Sequence, residues 1–351
     1  MINLGRNIVL MLVGVVVVAL GCEDQQEPPQ SNQPSQSNQP SQSSSSRPFA
    51  LSWAEVLEQN PDPKVVTDAD FLQRIKATGL PWRVTDRATG IEMLLVPPGR
   101  FAMGMSPGDT EAQDDEKPAH EVTISKAFYL GRTEVTQGQW VKVMGSNPSK
   151  FQDSSWAIRD AEIAKYMENG LTRKAAQEKA GAETPPEKFL TAKNPVEQVS
   201  WNDCNKFCAK TGMELPTEAQ WEYACRAGVR QPRYGELGQI AWYDKNSDST
   251  THPVAQKAPN ALGFYDMIGN VWEWCEDIYH GWHYKSREDG VVDPVCWNQA
   301  EYGPLSRLLR GGDWGVNSSY CRASERNPGS APQFGPGDVY DRVGFRVARS
   351  P

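Results

Sequence analysis

Seven cysteines and four histidines among 351 residues are the side chains from which metal, redox or nucleophilic chemistry would have to be built. Cys204 and Cys208 stand at i, i+4 and share one face of any helix spanning them, yet no histidine or acid at the right spacing completes a tetrahedral set. His280-Gly-Trp-His283 lies near Asp277 but has no third ligand at fixed spacing, which favours a solvated loop; His120 and His252 are isolated. The chain has no Ser-His-Asp order, phosphate-cradling glycine loop or dinucleotide fingerprint. Cys275 and Cys296 flank one loop and are candidates to pair. As a group the cysteines resemble the staples of an exported protein more than a catalytic set.

Export is also what the amino terminus suggests. Arg6 precedes the apolar run Ile8 to Gly21, shorter than the roughly 20 residues of a spanning helix but suited to a signal-peptide core. Val18-Ala19-Leu20-Gly21-Cys22 looks like a bacterial lipobox, in which Cys22 becomes a lipid-modified first residue. Each buried acyl methylene contributes ~0.8 kcal/mol, so two or three chains hold a protein stably on a membrane. Residues 22–48, dominated by Ser, Gln, Pro and Asn, have almost nothing apolar to bury and read as a disordered tether. The expected location is the bacterial cell envelope, with the protein membrane-anchored and facing the periplasm or the exterior. A formal charge of −8 without a basic run excludes nucleic acid as a partner.

These residues must be positioned by the elements between them. Ser52 with Glu55 and Thr67 with Asp70 read as helix starts before Trp53 to Gln59 and Ala69 to Ala77, giving a short helical extension over residues 49–90. Apolar runs on both sides of Pro98-Gly99 read as a hairpin. Thr136 with Gln139, Ser200 with Asp203 and Thr217 with Gln220 are capping boxes that open helices. Residues 151–193, rich in Ala, Glu and Lys and carrying Pro185-Pro186, read as a helical insertion. Beyond residue 228, scattered Gly, Pro, Asn and Trp predict short strands joined by long ordered loops.

Seven segments, in order, closely resemble the formylglycine-generating enzyme (sulfatase-modifying factor) superfamily. They are Met93-Leu-Leu-Val-Pro-Pro-Gly99, Phe128-Tyr-Leu-Gly-Arg-Thr-Glu-Val-Thr136, Asn194-Pro-Val-Glu-Gln-Val-Ser-Trp201, Leu215-Pro-Thr-Glu-Ala-Gln-Trp-Glu-Tyr-Ala-Cys225, Gly269-Asn-Val-Trp-Glu-Trp274, Arg310-Gly-Gly-Asp-Trp314 and Gly344-Phe-Arg346. The resemblance implies an α+β, C-type-lectin-like fold of low regular secondary structure over residues 91–351. It does not settle chemistry, because the superfamily holds oxidases, iron-dependent sulfur-transfer enzymes, pseudoenzymes and binding proteins.

In the oxidase, two cysteines five residues apart bind copper and convert a substrate cysteine to formylglycine. Counted from Gly311-Gly312, those positions are Val316 and Cys321 here. Valine ligates no metal, so copper is not expected, and Cys321 is catalytic only if the protein is an oxidase by another route. Asp313 replaces a serine and Arg342 an asparagine, whereas Trp272, Tyr320 and Arg326 match; these five are the substrate-groove candidates. Cys321 also resembles a family cysteine that forms a disulfide, which pairs it with Cys225, while Cys208 has Val347 where its family partner would be. Asp266-Met-Ile-Gly-Asn-Val-Trp-Glu273 matches a family calcium site, implying Asp266, Gly269, Val271 and Glu273 as ligands and calcium as the cofactor. The His-x3-His-x-Glu iron motif of the sulfur-transfer enzymes is absent. The expected function is a lipid-anchored binding or scaffold module for an envelope protein or polypeptide; the alternative is an oxidase acting on exported sulfatases.

Overall fold

The computed structural model describes residues 51–351 except 154, 184–190, 287–288, 298–305 and 328–335. The signal peptide, Cys22 and tether expected from sequence, and Pro185-Pro186, lie outside the described residues. No helix among the described residues is long and apolar enough to cross a membrane.

Three small sheets and a set of short helices surround one core. The first sheet runs β1 (Ala54–Glu58), β2 (Arg83–Asp86), β3 (Glu92–Val96), β6 (Phe128–Gly131) and β11 (Ala348–Arg349), all antiparallel, so the first and last strands form its two edges. The second joins β4 (Gly99–Met103), β5 (His120–Ile124) and β8 (Val291–Val292). The third places β7 (Trp272–Ile278) between β10 (Val343–Gly344) and β9 (Arg307–Arg310). This mixed architecture is the α+β class expected from the sequence.

Two local expectations are corrected. Trp53 to Gln59 is not a helix: Ala54–Glu58 pairs with β2, Val56 opposite Val84, and Trp53 packs edge-on against Tyr129 with ring centroids 5.5 Å apart. Nor do the runs around Pro98-Gly99 form a hairpin. β3 pairs with β2 and β6 while β4 pairs with β5, so the chain changes sheets at two prolines that have no N–H to donate to a ladder. The second expected helix, α1 (Ala69–Ala77), forms, but its cap is Asp68, which accepts from the amides of Asp70 at 2.9 Å and Phe71 at 3.0 Å.

All three capping boxes are present. Thr136, Ser200 and Thr217 open α2 (Gln137–Met144), α5 (Trp201–Thr211) and α6 (Glu218–Arg226). The insertion holds α3 (Ser155–Glu168) and α4 (Arg173–Glu183), which meet through Ile163, Ala176 and Ala180. It is tied back where Gln177 donates to the Gly145 carbonyl at 3.1 Å.

Helix α6 is unusual because every one of its residues except Gln220 is buried, Glu218, Glu222 and Arg226 included. Their charges are matched by arginines from the carboxyl-terminal third. Arg310 reaches Glu222, and Arg326 Nε donates to Glu218 at 2.6 Å. Arg226 Nε reaches Glu222 at 2.8 Å. Removing one member strands the other charge in a dry environment. Glu222→Ala should therefore cost about 3 to 5 kcal/mol in denaturant unfolding, whereas Lys206→Ala, which breaks a surface pair with Asp203, should cost under about 1 kcal/mol.

Candidate functional site

β9 ends at Arg310 and the chain turns through Gly311 and Gly312 at φ +99° and +83°, angles that side-chain-bearing residues rarely adopt. A Cβ on Gly312 would lie 3.4 Å from both the Cys321 sulfur and a Val316 methyl. Val316 and Cys321 therefore converge on one glycine, and the position counted from sequence as the first of the oxidase pair does face the second. The pair is a thiol against a methyl group. Cys321 is fully buried, and desolvation pushes its thiol up to about 12 despite the opposing pull of Arg233. A reactive cysteine needs the opposite environment, electropositive and accessible.

Asp313, Trp272 and Arg342 meet beside this turn. Burial pushes the Asp313 carboxyl up to about 6, restrained by the Gly315 amide at 2.5 Å, by Arg342 and by a hydrogen bond with the Trp272 side chain. Arg342 Nη1 lies 3.6 Å from Asp313, and its guanidinium is stacked 4.4 Å over Trp314. A Cβ on Gly315 would stand 2.5 Å from Arg342 Nη1, so glycine is what lets the arginine lie there.

Tyr320 and Arg326 stand apart from that group and line a separate cavity of about 460 Å³ together with Trp282, Asp115 and Glu325. Arg326 is buried, held by Glu218, by the Asp115 carbonyl at 3.0 Å and by the His280 carbonyl at 3.2 Å. Tyr320 is 37% exposed. His280 and His283 are half-buried in a turn.

The disulfide expected between Cys225 and Cys321 is not formed. All six described cysteines are buried free thiols, and the Cys225 sulfur faces the Met267 carbonyl at 4.0 Å. Cys204 and Cys208 share a face of α5 as predicted, with burial raising both thiols.

Glu273 is not free to serve as a calcium ligand in this arrangement. Both Glu273 oxygens are taken, by Arg346 Nε at 2.6 Å, Arg346 Nη2 at 2.7 Å and the Trp221 indole at 2.8 Å. Asp266 accepts from the Ala255 amide at 2.7 Å through one carboxylate oxygen while the other is buried without a hydrogen-bond partner, and Gly269 and Val271 are implied as ligands only through their backbone carbonyls. No group of three or more His, Cys, Asp or Glu able to hold a metal occurs among the described residues. Sequence reasoning missed Glu134, buried beside Asp266 and Glu273 with neither side-chain oxygen hydrogen-bonded. Desolvation, reinforced by Asp266 and Glu273, holds its carboxyl well above the ordinary range. The available signal was the single acid in the segment Phe128-Tyr-Leu-Gly-Arg-Thr-Glu-Val-Thr136.

The sulfatase-modifying factor enzyme 1-like domain model matches residues 79–351. This chain belongs to that family. It is 30% identical to the formylglycine-generating enzyme of Streptomyces coelicolor, over 72% of this chain and 87% of the enzyme. It is 30% identical to the chaperone protein LppX of Paenibacillus barcinonensis, over 65% and 82% of the two chains. The serine/threonine-protein kinase pkn1 of Chlamydia caviae is 32% identical over 74% of this chain, which spans only 38% of the kinase. The structure of PvdO from Pseudomonas aeruginosa superposes with a TM-score of 0.54 at 27% identity, over 77% of this chain and 98% of PvdO. Family membership thus joins a formylglycine-generating enzyme and proteins with other names, and the Val316–Cys321 geometry becomes the discriminating feature.

Two predictions follow from these environments. Asp313 takes up a proton on folding, so its contribution to stability is whole below about pH 4 and is lost as pH rises through about 6. Asp313→Asn removes that loss, and its stability relative to wild type should improve by about 1 to 3 kcal/mol between pH 4 and pH 7.5 in denaturant titrations. With Arg346 already serving Glu273, chelation with EDTA should leave the melting temperature within a degree or so of the untreated protein, against the several degrees expected on losing a structural ion.

Proposed function

We propose that this protein is a lipid-anchored module of the bacterial cell envelope that binds or scaffolds a polypeptide partner and does not oxidise cysteine. The observation that carries the reading is the Val316 methyl standing where a second thiol would face Cys321, in surroundings that keep the remaining thiol buried and protonated. Two thiolates are the soft donor pair that Cu(I) requires, and a valine supplies none. The lipobox-like Cys22 and the Ser, Gln and Pro spacer support a tethered position at the membrane; about 25 flexible residues reach some 25 to 30 Å. One relative is named a chaperone, a role of polypeptide binding without covalent chemistry, and it is as similar as the oxidase relatives.

The competing reading is an oxidase that converts a cysteine of exported sulfatases and uses Cys321 alone, favoured by the similarity to formylglycine-generating enzymes. Oxygen uptake with a cysteine-containing sulfatase peptide and Cu(I) separates the two. Wild type should show no turnover above the protein-free control, and Cu(I) titration against a competing chromogenic chelator should show no tight stoichiometric site. Val316→Cys should acquire Cu(I) binding, because it restores the facing thiol. Turnover by wild type that is lost in Cys321→Ser would replace the binding reading with the oxidase.

A further inference from the structure

Helix α1, at residues 69–77, precedes the family-matching region, which begins at residue 79. It is nevertheless locked onto the domain. Arg74 Nη1 donates to the Pro98 carbonyl at 3.0 Å and to the Tyr223 hydroxyl at 2.5 Å, while its guanidinium lies 4.2 Å over the Phe71 ring. Two glycines of the family domain make room for this docking. A side chain on Gly99 would overlap Arg74 and Tyr223, and a Cβ on Gly228 would sit 3.0 Å from the Phe71 ring.

The docked helix closes one wall of a cavity of about 380 Å³ whose other walls come from β4, the loop after it, and α6 with its following turn. Its lining mixes apolar and charged side chains: the Phe71, Phe101 and Tyr223 rings pack in series, with centroids 6.2 and 5.2 Å apart, next to Met105, and aspartates and arginines complete the wall. Charge at the cavity is net positive, with four arginines against two aspartates. Asp68 is spent capping α1, Asp70 is paired with Arg74 at 2.7 Å, and Arg226 is paired with Glu222. That leaves Arg230, which has no ion pair among the described residues, and Arg100, whose contact with Glu121 is 3.4 Å and exposed. Small-molecule sites are commonly concave, mainly apolar and of this size, with a few polar groups fixing orientation.

We propose that this cavity binds a small carboxylate with an aromatic or aliphatic body, the body lying along Phe71, Phe101 and Tyr223 and the anionic end meeting Arg100 and Arg230. The site is distinct from the Val316–Cys321 turn, shares no residue with it, and stands or falls independently of the function proposed above. Arg is suited to the anionic end because its planar fork matches a carboxylate.

The test is isothermal titration of the intact protein with 4-phenylbutyrate, compared with 4-phenylbutanol, which lacks the charge, and butyrate, which lacks the ring. Saturable binding of 4-phenylbutyrate at least tenfold tighter than either comparator is expected. The Arg100→Gln/Arg230→Gln double variant should lose that advantage over the alcohol, and Met105→Trp should abolish binding by filling the cavity. Melting curves of both variants confirm that they remain folded, and both changes sit at half-buried or exposed positions. No saturable binding at millimolar concentration, equal affinity in the double variant, or retained binding in Met105→Trp would each overturn the proposal.

Discussion

Four arginines from the carboxyl-terminal part of the chain, Arg310, Arg322, Arg326 and Arg346, are buried, and the fold depends on them. A guanidinium presents five donors in a rigid plane, so it can bind a carboxylate and several backbone carbonyls at once. Arg310 combines Glu222 with the carbonyls of Ala323, Ser324 and Glu325; Arg346 combines Glu273 with those of Gly131, Tyr265 and Asp266. Arg322 gathers Glu116 and Asp109 from far earlier in the chain together with Glu325, three residues on. Long loops leave backbone carbonyls without ladder partners, and an unpaired buried carbonyl costs as much as a lost hydrogen bond. The arginines remove that cost where strands and helices are too short to do so. Desolvating the ions is itself expensive, which is why each is matched by an acid rather than left to carbonyls alone.

The same network sets what the Gly311-Gly312 turn can present. Arg310 anchors the strand immediately before the turn, and a Cβ on Gly311 would lie 3.2 Å from the Trp221 ring on α6. Val316, Asp313 and Cys321 are thus displayed from a rigid base. Arg346 performs the corresponding service at Asp266 to Glu273, where its guanidinium binds both oxygens of Glu273. Three buried acids share it, and Glu134 in particular is held well above the ordinary carboxylate range, so protons complete the neutralisation.

What was legible in the sequence was local or carried by whole motifs. Capping boxes depend on residues three apart, and Thr136, Ser200 and Thr217 each form as read. Strand β1 was misread because its helix-like cap signal is overridden by β2, almost thirty residues on, a partner that no local pattern reveals. The turn pair Pro98-Gly99 misled for a related reason: Arg74 and Tyr223 take the Pro98 carbonyl and the space over Gly99, steering the chain into a second sheet. Counting from Gly-Gly led to Val316 and Cys321, which both lie beside Gly312 because a tight turn leaves little freedom in spacing. The motif around Arg326 shows that an arginine is needed, without revealing that Glu218 and two backbone carbonyls hold it. The Cys225 and Cys321 pairing was legible only as a family habit, and the packing places each thiol against other groups.

The substitutions at the turn are mutually consistent in a way that bears on function. A redox pair requires two thiols and a path for solvent and substrate, and this site departs from both requirements together. Val316 removes one sulfur and adds apolar surface around the other, which by desolvation keeps Cys321 protonated. Arg342, lying across Trp314 and beside Gly315, is placed there by Asp313, so the two replacements of the serine and asparagine positions act as one unit. Reversal of Val316 alone would restore ligands without restoring access, and reversal of Asp313 alone would leave Arg342 without its partner. Val316, Cys321, Asp313 and Arg342 thus form one packed and charge-matched unit, in which a change at any position alters the surroundings of the others.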